Sequence, residues 1–376
     1  MLNLRRRTWA GLLATWGASH ALRAEPAPLV VGQIGPFTGI PVPDAPQLHA
    51  GLQAAFGQVN ARGGIAGRRI SLFQLDDTYT GDGFVRAFAQ AMARQPLALL
   101  CPVGSVALKR MLDDKLLDQA DVLVLNAIPG AEALRNPGHP KLFHVRAGDR
   151  QQIDKIVAHA RTLGISQLSV LHQDTPIGTS GLAMAREAAA RLGGVSLSAV
   201  MATIEANSLG AAAARLAQSG TQAVVVLGAP RFMADGVAAL RSAGVGQFIF
   251  ALSYVPAGLL AKVAGAGARG VALAQTYPNP MGANLPLQRD FQAAMKASAP
   301  ELTAYTSFHL EGYISARLFV EAARRARALT PDGLAAALHA LGEVDLGGFR
   351  VNFSQSNVGS NFVDIGVVNA DGRLVY

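Results

Sequence analysis

Cysteine is nearly absent: Cys101 is the only one in 376 residues. A lone thiol closes no internal disulfide, and its place at the end of an apolar run predicts a buried, inert group. Charge is scarce as well, with 15% of residues ionic and 50% hydrophobic, which excludes an intrinsically disordered chain. No basic cluster is interleaved with aromatics, so nucleic acid is not an expected partner. The eight histidines (His20, His49, His139, His144, His159, His172, His309, His339) show neither metal-ligand spacing nor a cysteine partner. No metal or other cofactor is therefore expected, and most of these side chains read as surface or half-buried. Gly178-Thr-Ser-Gly181 lacks the spacing of a hydrolase elbow. Asp76-Asp77 has no third ligand beside it and reads as a local cap. No nucleophile, base or acid pair completes a catalytic constellation.

Met1 to Ala24 has the layout of a removable export signal. Arg5-Arg6-Arg7 makes a positive start, Trp9 to Trp16 a short apolar core, and Ala21 and Ala24 are alternative cleavage points. That core is much too short to span a bilayer, so no membrane insertion is expected once the signal is gone. Three adjacent arginines suit either general secretion or a twin-arginine route. Losing Arg5, Arg6, Arg7 and Arg23 lowers the formal charge from +8 to +4.

The length exceeds what one hydrophobic core usually serves, and apolar strands alternate with amphipathic helices along most of it. Strands are predicted at Leu29–Ile34, Arg69–Leu75, 98–101 and Val122–Leu125. After Lys141–Arg146 the alternation restarts, with strands at Leu168–Leu171, Val195–Met201, Ala223–Leu227, Phe248–Leu252 and Val271–Gln275. This is the pattern of two doubly wound α/β sheets in tandem. Helices at about Leu285–Ala299 and Phe308–Ala328, one more begun by Thr330-Pro331, and C-terminal strands with an Asp371-Gly372 turn are too few for a third domain. They complete the two sheets, so the chain crosses between lobes more than once and leaves a cleft.

Ala98 to Arg110 reads as strand, tight turn and helix, with Ser105 as the N-cap. Free N–H groups and the helix dipole suit such a start to a carboxylate or small anion. Gly265-Ala-Gly-Ala-Arg-Gly270 spells the dinucleotide fingerprint, but a helical pattern precedes it and a strand follows, the reverse of what nucleotide binding needs. It is a loop.

Several stretches, in order, resemble one family. They are Gly35-Pro-Phe-Thr-Gly39, Val59 to Arg68, Leu75-Asp-Asp77, Pro102-Val-Gly-Ser105, Gly130 to Arg135 and Leu310 to Ala316. Together they are similar to the leucine/isoleucine/valine-binding proteins, the periplasmic substrate-binding components of branched-chain amino-acid-type ABC transporters. The resemblance implies a type I periplasmic-binding fold: two doubly wound parallel-sheet lobes joined by a three-crossover hinge. Lobe one would hold residues 25–147 and 278–347, lobe two 148–277 and 348–376, with crossovers near Arg146–Asp149, Thr276–Pro280 and Leu346–Gly348.

The implied function is non-catalytic capture of a small carboxylate-bearing solute in the interlobe cleft, in the periplasm, by a monomer that serves an inner-membrane ABC permease. A sensing module reporting to a receptor and an exported enzyme are the alternatives. By position, Ser105 with Val106 matches the serine that holds the ligand carboxylate, and Gly130 with Ala131 the carbonyl that faces its ammonium. Asp44, Ile177 and Tyr313 fall where side chains surround the ligand. Ser253, with Tyr254 beside it, stands in place of an acidic residue, and Glu132 in place of a small hydroxyl. Glu132 either points inward at an ammonium or faces solvent at the start of a short helix, Ala131–Arg135. The second reading is favoured, because charged side chains are seldom buried unpaired. It predicts a carboxylate without an α-ammonium.

Overall fold

The computed structural model describes residues 26–39 and 44–376. The export segment, His20 and the prolines at 41 and 43 lie outside the described residues.

The first lobe begins with β1 (Leu29–Gly35), α1 (Asp44–Ala61), β2 (Ile70–Asp76) and α2 (Gly81–Met92). It continues through β3 (Ala98–Leu100), α3 (Ser105–Asp113), α4 (Leu116–Gln119), β4 (Leu123–Leu125) and β5 (Leu142–Phe143). The five strands form a wholly parallel sheet in the order β2-β1-β3-β4-β5. The second lobe holds α5 (Asp149–Thr162), β6 (Gln167–Gln173), α6 (Pro176–Leu192), β7 (Ser196–Ala202) and α7 (Ala206–Ala217). Then come β8 (Ala223–Leu227), α8 (Pro230–Ser242), β9 (Phe248–Ala251), α9 (Ala257–Ala264) and β10 (Ala272–Gln275). Every residue of β8, Ala-Val-Val-Val-Leu, is buried, as a parallel strand covered on both faces must be.

The rest of the chain is shared. Helices α10 (Pro286–Ser298), α11 (Ser307–Arg325) and α12 (Pro331–Ala340) return to the first lobe, followed by the antiparallel hairpin β11 (Glu343–Asp345) and β12 (Arg350–Asn352). Strands β13 (Asp364–Val368) and β14 (Leu374–Val375) join the second sheet antiparallel, completing the order β14-β13-β10-β9-β8-β6-β7.

The chain leaves the first core after Val145 and enters the second by Ile153, and it returns between Gln275 and the buried Tyr277. The third passage does not fall at Leu346–Gly348. Phe349, Val351 and Phe353 are buried in the first core, where Phe349 meets Tyr277 and Phe353 meets Phe143 at ring separations of 5.2 and 5.3 Å. Gly359 still donates to the His144 carbonyl at 2.8 Å, so the passage lies between Gly359 and Asp364. The apolar alternation 349-351-353 gives this stretch one face to bury, and Tyr277 and Phe143 of the first core receive it.

Four of the seven described histidines are buried: His49, His144, His172 and His309. This differs from the exposed character expected of them. His49 Nδ1 lies 2.8 Å from Gln33 Oε1, and His144 Nε2 lies 3.1 Å from the Leu134 carbonyl. These contacts offset the cost of burying the rings. Burial holds His49 and His309 down to about 4 and His144 to about 3. The glycine-rich stretch at 265–270 is a 3₁₀ turn, Gly265–Ala268, between α9 and β10. Among the described residues no helix is long and apolar enough to cross a membrane.

Helix α11 lies directly against α1. A Cβ on Gly51 would run into the His309 carbonyl, and one on Gly312 into the Leu48 carbonyl. Both contacts are backbone, so the helices themselves must separate. Gly51→Ala and Gly312→Ala are each expected to cost about 1–3 kcal/mol in urea unfolding. Wild-type midpoints for both variants would refute this close approach.

Candidate functional site

The carboxyl ends of both parallel sheets, with the turns that follow them, carry the polar side chains discussed here, as is usual in open α/β sheets. After β1, the loop at 36–38 is fastened by Asp76, whose Oδ1 accepts from the amides of Phe37 (3.0 Å), Thr38 (3.2 Å) and Thr78 (2.9 Å). The Asp76-Asp77 pair is thus a local fastener. Asp44 opens α1 and is buried; burial pushes its carboxyl up to about 8, against an opposing pull from Arg146.

After β3, Cys101 turns the chain with a φ of +52°, and Gly104, with a φ of +101°, is the N-cap of α3. Ser105 is therefore the first residue of the helix and not its cap. Gly104 takes a backbone geometry that L-residues rarely adopt, so the cap falls one residue earlier. Ser105 is left exposed, with no capping bond to make, and Val106 is 71% exposed beside it. The Cys101 thiol is buried and pushed up to about 12, by burial first and Glu311 next. It is inert.

After β4, Asn126 takes a φ of +62° and becomes a hub. Its Nδ2 donates to Ser315 Oγ (2.8 Å), Glu311 Oε1 (3.1 Å) and Tyr277 Oη (3.3 Å), while its Oδ1 accepts from the Val145 amide (3.2 Å). Arg146 occupies the first passage between lobes. Its Nη1 reaches Glu311 Oε2 at 3.4 Å in lobe one, its Nη2 donates to Ser253 Oγ in lobe two, and its guanidinium lies 4.9 Å from the Tyr254 ring centroid. Burial raises the Glu311 carboxyl, with Arg146 opposing; for Arg146 burial pulls downward, but Glu311 and its neighbours hold it above its usual value. Tyr254 Oη donates to Asp149 Oδ1 at 2.5 Å.

Gly130 sits where the lobes meet: its carbonyl accepts from the Asp149 amide at 3.0 Å, and a Cβ there would strike Tyr254 Oη. Ala131, half-buried, precedes a 3₁₀ turn at Glu132–Leu134, which takes the place of the expected short helix. Glu132 does not simply face solvent. One carboxylate oxygen lies 4.0 Å from Arg150 Nε across the lobes, and the other is buried without a hydrogen-bond partner. Ile177 is half-buried at the start of α6.

Tyr313 is not among these residues. It is buried between α1 and α10, its hydroxyl 3.1 Å from Gln58 Oε1 and its ring against Phe291. Glu311 and Ser315, four apart, share the face of α11 that looks at Asn126, and Tyr313, two residues on, falls on the opposite face. Arg146, Asn126 and Glu311 were not foreseen. For Glu311 the available signal was a Glu and a Ser at i, i+4 in the buried first half of α11.

Among the described residues no group of three or more His, Cys, Asp or Glu could hold a metal ion. Two other concavities, about 370 Å³ beside Arg317 and Asp345 and about 600 Å³ beside Arg241 and Phe248, share none of the residues above.

Two α/β lobes joined by three chain passages, with polar side chains from both meeting between them, have the layout of a two-lobed binding protein. The family model described as periplasmic binding protein matches residues 28–373, and the chain belongs to that family. An extracellular ligand-binding receptor from Verminephrobacter eiseniae is 50% identical, with 93% of this chain and 100% of that one covered and a TM-score of 0.89. A substrate-binding periplasmic protein from Ralstonia solanacearum is 28% identical over 92% of this chain and 99% of that one, with a TM-score of 0.83. A possible leucine/isoleucine/valine-binding protein from Rhodopirellula baltica shares the fold at 22% identity, 95% and 98% coverage and a TM-score of 0.82. The search of curated proteins found no match. The protein binds a solute, as its family does.

Proposed function

We propose that the protein is exported to the periplasm, captures a small carboxylate lacking an α-ammonium between its lobes, and presents it to an inner-membrane ABC permease. The observation that carries this reading is the exposed Ser105 at the first turn of α3, with its hydroxyl and the adjacent helix N–H groups unused by a cap. That arrangement suits an anionic group. Two acceptors that an ammonium would use already have donors, the Gly130 carbonyl from the Asp149 amide and Ser253 from Arg146, which leaves one Glu132 oxygen as the competing feature. Asp44, at about 8, is mostly protonated at neutral pH and does not repel a carboxylate. We infer binding and not turnover, in keeping with the family and with a set of described residues in which no nucleophile and base are paired at these sheet ends.

Calorimetry against matched acids, such as 3-phenylpropionate and phenylalanine, tests the ligand class. The des-amino acid should bind more tightly, and Ser105→Ala should weaken it by about 1–3 kcal/mol. A tenfold preference for the amino form that Glu132→Gln abolishes would overturn the reading and make Glu132 the ammonium partner. Ligands raise the melting temperature by mass action, so a thermal screen finds candidates first.

A further inference from the structure

We propose that Tyr79 is the specificity-determining residue of the cleft, and that it selects carboxylates with a flat aromatic body by stacking on it. The inference rests on the carboxylate reading above and adds the shape of the rest of the solute.

Tyr79 follows β2, and both it and Thr78 adopt left-handed backbone, with φ of +60° and +51°. Bulky residues rarely do so, and when they do the surroundings must hold them there. Here the Thr78 amide donates to Asp76 Oδ1 and the Tyr79 amide to Asp77 Oδ1, each at 2.9 Å, while Thr80 caps α2. The result is a fixed perch for one side chain.

That side chain belongs to none of the three apolar cores and is 44% exposed. The backbone cost is therefore not offset by packing in the core. The ring lies against the turn that starts α3: a Cβ on Gly104 would be 3.4 Å from Tyr79 Cε2. Val106 Cγ1 would be 3.8 Å from a Cβ on Gly81, two residues after Tyr79. Tyr79 and Val106, two of the large apolar side chains exposed in this protein, thus both lie where the 79–81 segment meets the turn that carries Ser105. Burial first, then the charges of Asp44 and Asp77, raise the phenol above its ordinary value.

A carboxylate held at Ser105 leaves the body of its solute within reach of the Tyr79 ring, which lies against the same turn. An arene can stack offset on the tyrosine ring, whereas a saturated ring is thicker and has no π-face.

The test is calorimetry on the purified protein with two matched pairs: benzoate against cyclohexanecarboxylate, and phenylacetate against cyclohexylacetate. The wild type should favour each arene by about tenfold, the scale of one good aromatic contact. Tyr79→Ala should erase that preference while leaving the saturated acids within about twofold, and Tyr79→Phe should retain it. Equal binding within each pair, or an equal loss of both members in Tyr79→Ala, overturns the role of Tyr79 and leaves the carboxylate reading standing. If none of the four acids binds, the inference falls together with the reading it rests on. Melting curves of both variants report folding, and Tyr79→Phe keeps the test decisive should the alanine variant melt early.

Discussion

Arg146→Met lowers the free energy of unfolding by about 3–5 kcal/mol, and adding Glu311→Gln recovers most of that loss. Both side chains are 1% exposed. Removing the guanidinium leaves a buried carboxylate with only Asn126 and Tyr277 as donors from neighbouring side chains. Two donors do not replace an ionic partner in a medium that solvates charge poorly. Methionine fills much of the vacated volume, so the cost is electrostatic and not that of a cavity. A four-member urea cycle measures it. Losses that simply add, with the double variant the least stable, would mean that the pair is not coupled. The same substitution also removes the contacts with Ser253 and Tyr254, so its effect extends to how the lobes meet.

Raising the pH from 6.5 to 8 costs the wild type about 2 kcal/mol of stability that Asp44→Asn keeps, at about 1.4 kcal/mol for each pH unit. The sign follows from proton counts. Burial, partly opposed by Arg146, raises Asp44 from 3.8 to about 8, so across that window the native state holds a proton the unfolded chain has released. Stability therefore falls as pH rises. Below 6.5 the buried imidazoles of His49, His144 and His309 act in the opposite direction. They stay neutral when native and take up protons when unfolded, so stability also falls as pH falls toward 4. The interval above 6.5 is free of them. Glu311 and Asp149 are raised too, which is why the comparison with Asp44→Asn is needed. Parallel profiles for the two proteins between pH 6.5 and 8 would refute the burial of an uncharged Asp44.

The sheets were legible because period and composition dictate them. Ala223–Leu227 is a strand to the residue, and α10 begins and ends within a residue of its expected limits. Elements of two to four residues, such as β5 and α4, leave too short a signal to register. The expected boundary at 347/348 splits the hairpin and sends its second strand, β12, to lobe two, because local pattern says that a strand forms, not which core receives it. The turns at Ser105 and Gly130 were legible as turns, although the cap of α3 falls at Gly104 and not at Ser105. The candidate site was illegible where residues far apart in sequence converge. Arg146, Ser253 and Glu311 meet only through tertiary folding, and no spacing rule relates them. Tyr313 failed for a simpler reason, since two residues along a helix reverse the face.

The late return of α11 onto α1 has a consequence for synthesis. Phe56 of α1 waits for Phe319 of α11, its ring partner at 5.8 Å. The parallel strands and helices of lobe two, from α5 to β10, leave the ribosome as one uninterrupted run before α11 exists. The lobe that is started first is thus the one finished last. Until then Leu48, Leu52 and Phe56, which α11 helps to bury, remain open on the nascent chain. Such a surface attracts chaperones, and it delays compaction of the N-terminal half until nearly all of the polypeptide has been made.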